Sequence, residues 1–186
     1  LPYWEKQSCR YLPRPVCLEG AVAQPGLGLS ATATRWLARH CDRVIHNAAV
    51  LVFDGPDPQG DPWHTNVEGT RHVLNLCRAL GLTDFHYVST AYVCGTRQGV
   101  IREDELEMGQ DFRNDYEKSK YLAEQLVRDA DFINPPTIYR PVVIGGDWRT
   151  GYTNTYHGIY VYLRLISVLL NNIEPGPDGR RHTPVR

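Results

Sequence analysis

Short apolar runs alternate with amphipathic segments along the 186-residue chain. The runs "PVCLEG", "DRVIHNAAV", "FHYVST" and "TIYRPVVI" each predict a short strand, and loops rich in Gly, Pro and Asp separate them. Apolar residues recur at helical spacing over about 31–40, 62–80, 115–129 and 156–171. This order predicts an α/β fold, a Rossmann-like doubly wound parallel sheet covered by helices on both faces.

Local signals place some of the boundaries. Ser30 is a suitable N-cap for the first helix, and Gly81 supplies the stop of the second. Val44 and Ile45 are predicted to form a wholly apolar, buried strand.

Composition and charge exclude several classes of function. With 42% hydrophobic and 22% charged residues, the chain is typical of a globular protein, so a membrane or disordered protein is disfavoured. The net charge of −1 gives no electrostatic reason to expect nucleic acid, and the only basic cluster, Arg180-Arg181-His182, lies near the end of the sequence. We expect no membrane span and no nucleic-acid partner.

Cysteine and histidine positions predict neither disulfides nor a metal site. The five cysteines contain no Cys-x-x-Cys, and the seven histidines lack metal-ligand spacing, so surface or helix positions are expected for the histidines. Leu1–Arg10 has no apolar core of a signal peptide and no initial Met. A reduced, cytoplasmic compartment is expected.

Tyr116 precedes Lys120 by four residues inside the third predicted helix. This spacing puts both side chains on one face of the helix, where a cationic lysine favours the phenolate and lowers the tyrosine pKa. The pair is therefore either catalytic or an ordinary pair on an exposed helix face.

Several short motifs accompany this pair in a fixed order: "HNAA", "NVEGT", "YVSTAYVCG", the Tyr116-x-x-x-Lys120 spacing and "RPVVIGGD". Together they resemble the extended short-chain dehydrogenase/reductase family. From about Val16 onward, "PGLGLS", "VIHNAAV", "YEKSKYLAEQLV" and "RPVVIGGDWRTGYTNTYHG" look most like thioester-reductase domains, the relatives of fatty acyl-CoA reductases and of the reductase part of carboxylic acid reductases.

The resemblance implies an NADPH-dependent oxidoreductase, with NAD as the other possible cofactor. Its substrate would be an acyl thioester on a carrier protein or coenzyme A, reduced to an aldehyde or alcohol. Two other functions stay open: a nucleotide-sugar epimerase or dehydratase of the same family, and a dinucleotide-binding scaffold without turnover.

The resemblance also implies three catalytic residues. Tyr116 would donate a proton to the reduced carbonyl oxygen, and Lys120 would tune Tyr116 and reach the ribose hydroxyls of the cofactor. Thr90 would share the substrate oxygen, while Ser89 supports the strand end. The alternative for Thr90 is a hydroxyl that satisfies a local backbone group.

Further residues are expected at the cofactor. Small side chains at Ala48 and Ala49 would let it approach the strand end, although close packing in the sheet explains them equally well. Asn66 has poor helix propensity, so it either holds a water or backbone group near the site or is a tolerated surface residue. The resemblance places the nicotinamide at residues 141–143, and strand packing is the alternative explanation for the two valines there. The complete predicted cofactor-binding set is Ala48, Ala49, Asn66, Tyr116, Lys120, Pro141, Val142 and Val143.

Two features depart from the family pattern. Ala21 stands where an acid near the adenine is usual, and no Gly-x-x-Gly-x-x-Gly turn occurs. The predicted strands correspond to the third to sixth of the order 3-2-1-4-5-6. We therefore expect residues 1–186 to be an internal slice of one NAD(P)-binding reductase domain, lacking the first βαβ segment, and to be inactive and weak in cofactor binding by themselves.

Overall fold

The computed structural model describes residues 14–153, 158–177 and 179–181. The chain divides into two compact units, Leu1–Arg140 and Pro141–Arg186. The first unit carries the sheet and three of the helices described below.

Three parallel strands form the sheet of the first unit, in the order β1-β2-β3. The strands are β1 (Arg43–His46), β2 (Asp84–Val88) and β3 (Thr137–Tyr139). His46 pairs with Tyr87 and Val88 pairs with Tyr139, so the carboxyl ends of all three strands reach the same edge. Parallel strands joined through helices confirm the predicted α/β fold class.

The helices are α1 (Ala31–His40), α2 (Gly69–Leu80), α3 (Asp115–Arg128) and, in the second unit, α4 (Ile159–Asn171). One π-helical turn, His64–Glu68, leads directly into α2. The predicted start of the last helix at Tyr156 lies outside the described residues. No helix in the described ranges has the length and hydropathy needed to cross a membrane.

Capping residues fix the helix ends where the sequence predicts them. The Ser30 hydroxyl accepts a hydrogen bond from the Ala33 amide at 3.2 Å, which begins α1. Gly81 ends α2 with a φ of +69°, a left-handed conformation that glycine adopts without a steric cost. Asn114 caps α3, because its side-chain oxygen accepts from the Glu117 amide at 2.9 Å.

The core lies on one face of the sheet. Phe85 and Tyr87 alternate with less buried residues along β2, and both side chains point to this face. They pack against residues of α2 and α3: Val73, Leu74, Cys77, Ala123 and Val127. This packing fixes α3, and with it the predicted Tyr–Lys pair, against the central strand.

One predicted strand is absent, and one burial prediction is wrong. Residues 14–20, which include "PVCLEG", are exposed and irregular. A strand needs a neighbour for its backbone groups, and the described sheet ends at β1 without one. Ile45 is 67% exposed instead of buried, because alternation directs it to the face opposite His46 and the core.

The last predicted strand is shorter than "TIYRPVVI". It ends at Tyr139, and Pro141 has no N–H with which to extend the ladder. Within the second unit, the Gly146 amide donates to the Tyr160 hydroxyl, and Asp147 accepts from Thr150 in a local turn. Residues 141–144 lie beyond the end of β3 and form no strand.

Candidate active site

Thr90 and Tyr116 meet beside the carboxyl end of β2. Thr90 lies two residues beyond the strand, and Tyr116 is in the first turn of α3. The Thr90 side chain is close enough to the Tyr116 phenol to lower its pKa. The Thr90 hydroxyl accepts from the Tyr92 amide at 3.3 Å, so Thr90 satisfies a local backbone group, as the alternative interpretation predicts.

Tyr116 is half-buried, and this burial dominates its acidity. Burial raises the pKa of Tyr116, and the nearby Thr90 side chain lowers it only in part. The predicted lowering of the Tyr116 pKa below its ordinary value is therefore wrong in this structure. Its phenol is protonated at neutral pH, which is the state that a proton donor requires.

Lys120 is turned toward the sheet. Its side chain is 2% exposed, its Nζ donates to the Val88 carbonyl at 2.8 Å, and Nζ lies 4.4 Å from the centre of the Tyr87 ring. Burial lowers the pKa of Lys120 to about 8, although the charge of Glu124 acts in the opposite direction. An exposed pair on a helix face is thus excluded for Lys120, since its charge is held inside the protein.

Ser89 supports the strand end, as the sequence predicts. Its backbone amide donates to Tyr139 at 2.8 Å, and its hydroxyl donates to Glu124 Oε2 at 2.7 Å. These bonds fix the backbone immediately before Thr90.

Asn66 is buried, so its interpretation as a surface residue is wrong. Its side-chain amide donates to the Val50 carbonyl at 3.1 Å and to Ser119 Oγ at 2.9 Å, and its oxygen accepts from the Val50 amide at 2.9 Å. Ser119 Oγ donates in turn to the Tyr116 carbonyl at 2.9 Å. Asn66 therefore ties the segment after β1 to the helix that carries Tyr116.

We expect Asn66→Ala to lower the free energy of unfolding by about 1–3 kcal/mol, because it leaves partly buried backbone groups of Val50 without their Asn66 partner. Denaturant unfolding followed by circular dichroism measures this change. Asn75→Ala, at an exposed position of α2, is the matched control and should stay within about 0.5 kcal/mol of the parent. Equal stability of the two variants would contradict a tethering role for Asn66.

The remaining predicted cofactor residues are exposed or lie in the second unit. Ala48 and Ala49 are exposed just beyond β1, so close packing in the sheet does not explain their small size. Pro141 begins the second unit, where Val142 and Val143 are 64% and 58% exposed, which excludes strand packing for the valines. Their contact with a cofactor stays a prediction.

His46, at the end of β1, is a buried residue whose environment the sequence prediction missed. Its Nε2 lies 3.0 Å from Thr70 Oγ1, and the Thr70 hydroxyl donates its single proton to the Asn66 carbonyl at 2.6 Å. His46 Nε2 must therefore be the donor to Thr70. Burial and, to a lesser degree, the charge of Lys120 lower the pKa of His46 to about 4, so the imidazole is neutral.

In the described ranges, no group of three or more His, Cys, Asp or Glu side chains is arranged to hold a metal ion. The site consists of hydroxyl groups and one buried ammonium at the carboxyl edge of a parallel sheet.

This fold and arrangement define the short-chain dehydrogenase/reductase class. Within it, the chain belongs to the NAD-binding family described as male sterility protein, whose model matches residues 2–178.

Known relatives include much longer proteins. A linear gramicidin synthase of Brevibacillus parabrevis is 33% identical over 153 residues, which are 79% of this chain and 3% of that protein. The large subunit of L-2-aminoadipate reductase of Penicillium chrysogenum is 28% identical over 82% of this chain and 12% of its own length. The solved terminal R domain from the myxalamid PKS-NRPS biosynthetic pathway is 35% identical, with a TM-score of 0.67, over 84% of this chain and 40% of that domain. The chain therefore spans less than half the length of each of these proteins.

Proposed function

We propose that this chain supplies the catalytic residues of an NADPH-dependent reductase that converts acyl thioesters to aldehydes or alcohols. The observation that carries the proposal is the approach of the Thr90 side chain to the Tyr116 phenol beside the buried Lys120. Similarity to a terminal R domain and to an aminoadipate reductase favours a thioester substrate, bound to a carrier protein or to coenzyme A.

The reaction places negative charge on the substrate oxygen, and the site is suited to receive it. When bound, the nicotinamide supplies the hydride. Tyr116 donates its phenolic proton to the developing alkoxide, and the Thr90 hydroxyl holds the same oxygen in line with Tyr116. The resulting hemithioacetal releases the aldehyde when its C–S bond breaks and its hydroxyl proton passes to the departing thiolate, which leaves as the free thiol. A raised pKa of Tyr116 keeps the phenol protonated until this transfer.

Lys120 and the small residues after β1 fit the nicotinamide half of the cofactor. Among the described residues, Lys120 Nζ donates one hydrogen bond, to Val88, while an ammonium group has three N–H donors. The remaining donors suit ribose hydroxyls, and the exposed Ala48 and Ala49 leave space at the strand end.

We further propose that residues 1–186 are one part of a single NAD(P)-binding reductase domain. The absence of a glycine-rich pyrophosphate turn from the sequence and the 40% coverage of the solved R domain support this division.

The proposal is tested by NADPH oxidation at 340 nm with the full-length protein. We expect oxidation that depends on an acyl thioester, with aldehyde or alcohol found by mass spectrometry, and a slower rate with NADH. Conversion of a UDP-sugar without loss of NADPH would instead identify an epimerase. Cofactor binding without turnover of either substrate would identify the non-catalytic scaffold.

A further inference from the structure

A completely buried carboxylate lies one helical turn beyond Lys120. Glu124 of α3 is 0% exposed, and four hydrogen bonds reach its two oxygens. Arg140 donates to Oε1 at 2.7 Å and to Oε2 at 3.1 Å, Arg128 donates to Oε1 at 3.0 Å, and Ser89 donates to Oε2 at 2.7 Å. A buried charge is tolerated only when it is paired in this way, so the carboxylate is ionised and fixed in position.

The partners of Glu124 come from separate parts of the fold. Ser89 follows β2, and Arg140 follows β3, so one carboxylate joins the ends of two strands to α3. Both arginines, Arg128 and Arg140, also bind the segment of residues 102–105, which follows Thr90 in the chain. Their guanidinium groups donate to backbone carbonyls of Arg102, Glu103, Asp104 and Glu105.

We propose that Glu124 is a positioning residue for the reduction: it locks the strand end that carries Thr90 onto the helix that carries Tyr116, and it supplies the negative charge beside Lys120. This proposal rests on the proposed function. Ser89 is adjacent to Thr90 in sequence, so the bond from Ser89 to Glu124 limits the movement of the Thr90 hydroxyl relative to Tyr116. Residues four apart on a helix are neighbours, which places the carboxylate next to the Lys120 stem.

The groups around Lys120 make Glu124 its main electrostatic partner. His46 of β1 is neutral, and the Tyr87 phenol of β2 has a raised pKa, as has Tyr116 of α3. Arg140, after β3, is a cation and reaches this region through Glu124. Of these groups, Glu124 alone is an anion at neutral pH, and its charge raises the pKa of Lys120 against the effect of burial.

The test is the pH dependence of kcat/KM in the full-length protein. In the parent, kcat/KM should fall as the pH rises through about 8, where Lys120 loses its proton. Glu124→Gln removes the carboxylate that favours the Lys120 ammonium. The alkaline limb of the pH profile, which is this fall of kcat/KM with rising pH, should therefore move to lower pH by about one unit. At pH 6.5 Lys120 is still charged, so kcat at this pH reports the placement of the catalytic groups. We expect kcat of Glu124→Gln to be roughly tenfold lower than that of the parent, because the catalytic groups are misplaced.

Two further variants separate positioning from general damage. Glu117→Gln removes a buried carboxylate of the same helix that pairs with Arg113 instead, and its pH limb should stay at the parent position. Ser89→Ala keeps the ion cluster and should lower kcat without moving the limb. An unmoved limb in a folded Glu124→Gln variant overturns the electrostatic part, and a parental kcat in Ser89→Ala overturns the positioning part, even if Glu124→Gln fails to fold.

A readout independent of turnover distinguishes this proposal from the proposed function. The pKa of Lys120 is measured by ¹⁵N-lysine side-chain NMR, with the signal assigned by its loss in Lys120→Met. A parent protein that reduces no thioester rejects the proposed function. A Lys120 pKa that is equal in the parent and in Glu124→Gln rejects the electrostatic role of Glu124, whatever reaction the protein catalyses.

Discussion

Tyr116→Phe is expected to lower the rate of thioester reduction by roughly 10²–10⁴-fold, the usual contribution of general acid catalysis. The substitution removes only the hydroxyl near Thr90, and the half-buried ring keeps its edge-to-face contact with Phe53, whose centroid is 6.1 Å away. The fold and the affinity for NADPH should therefore change little.

Steady-state NADPH oxidation measures the loss, and isothermal titration measures cofactor binding separately. Tyr121→Phe is the matched control, because it removes a phenolic hydroxyl from the same helix, where Tyr121 accepts a hydrogen bond from Gln125 at 3.0 Å. The control should turn over like the parent. Unimpaired turnover in Tyr116→Phe would end the catalytic interpretation of this tyrosine.

Lys120→Met is expected to reduce both the rate and the cofactor affinity. The buried stem is replaced by an apolar side chain of similar length, while the ammonium that donates to Val88 and is available to the ribose is lost. A hydrogen bond to a charged group is worth about 1.5–3 kcal/mol, so the Kd for NADPH should rise by roughly 10- to 100-fold. The rate should fall as well, because the charge beside the reacting groups disappears.

Lys118→Met provides the control, since Lys118 is exposed two residues earlier on α3. Fluorescence titration with NADPH and single-turnover reduction should leave that variant at parental values. If Lys118→Met and Lys120→Met behave alike, Lys120 has a structural role only.

Helix positions could be predicted because their signals are local. Ser30 begins α1, and Gly81 ends α2 through hydrogen bonds and dihedral angles within one turn of the chain. The four-residue spacing of Tyr116 and Lys120 likewise follows from the helical repeat alone. These features need no information about distant residues.

Strand predictions were less reliable because a strand depends on neighbours. The run "PVCLEG" has a suitable composition, but no partner strand adjoins it in the described part of the chain. Ile45 has the composition of a core residue but is exposed, since strand alternation directs it away from α2 and α3. Apolar composition indicates that a residue can be buried, whereas packing decides whether it is.

The sequence by itself determined the order of the helices and of the three strands between them, the capped helix ends and the types of residue at the site. Only the tertiary structure decided their chemical state. Burial raises the pKa of Tyr116 and lowers that of Lys120, although the local spacing predicted a lowered tyrosine pKa. Likewise, Glu124 gains Ser89 and Arg140 as partners from positions 35 and 16 residues away. Desolvation and ion pairing depend on every group that surrounds a side chain, and those groups come together only when the chain is folded.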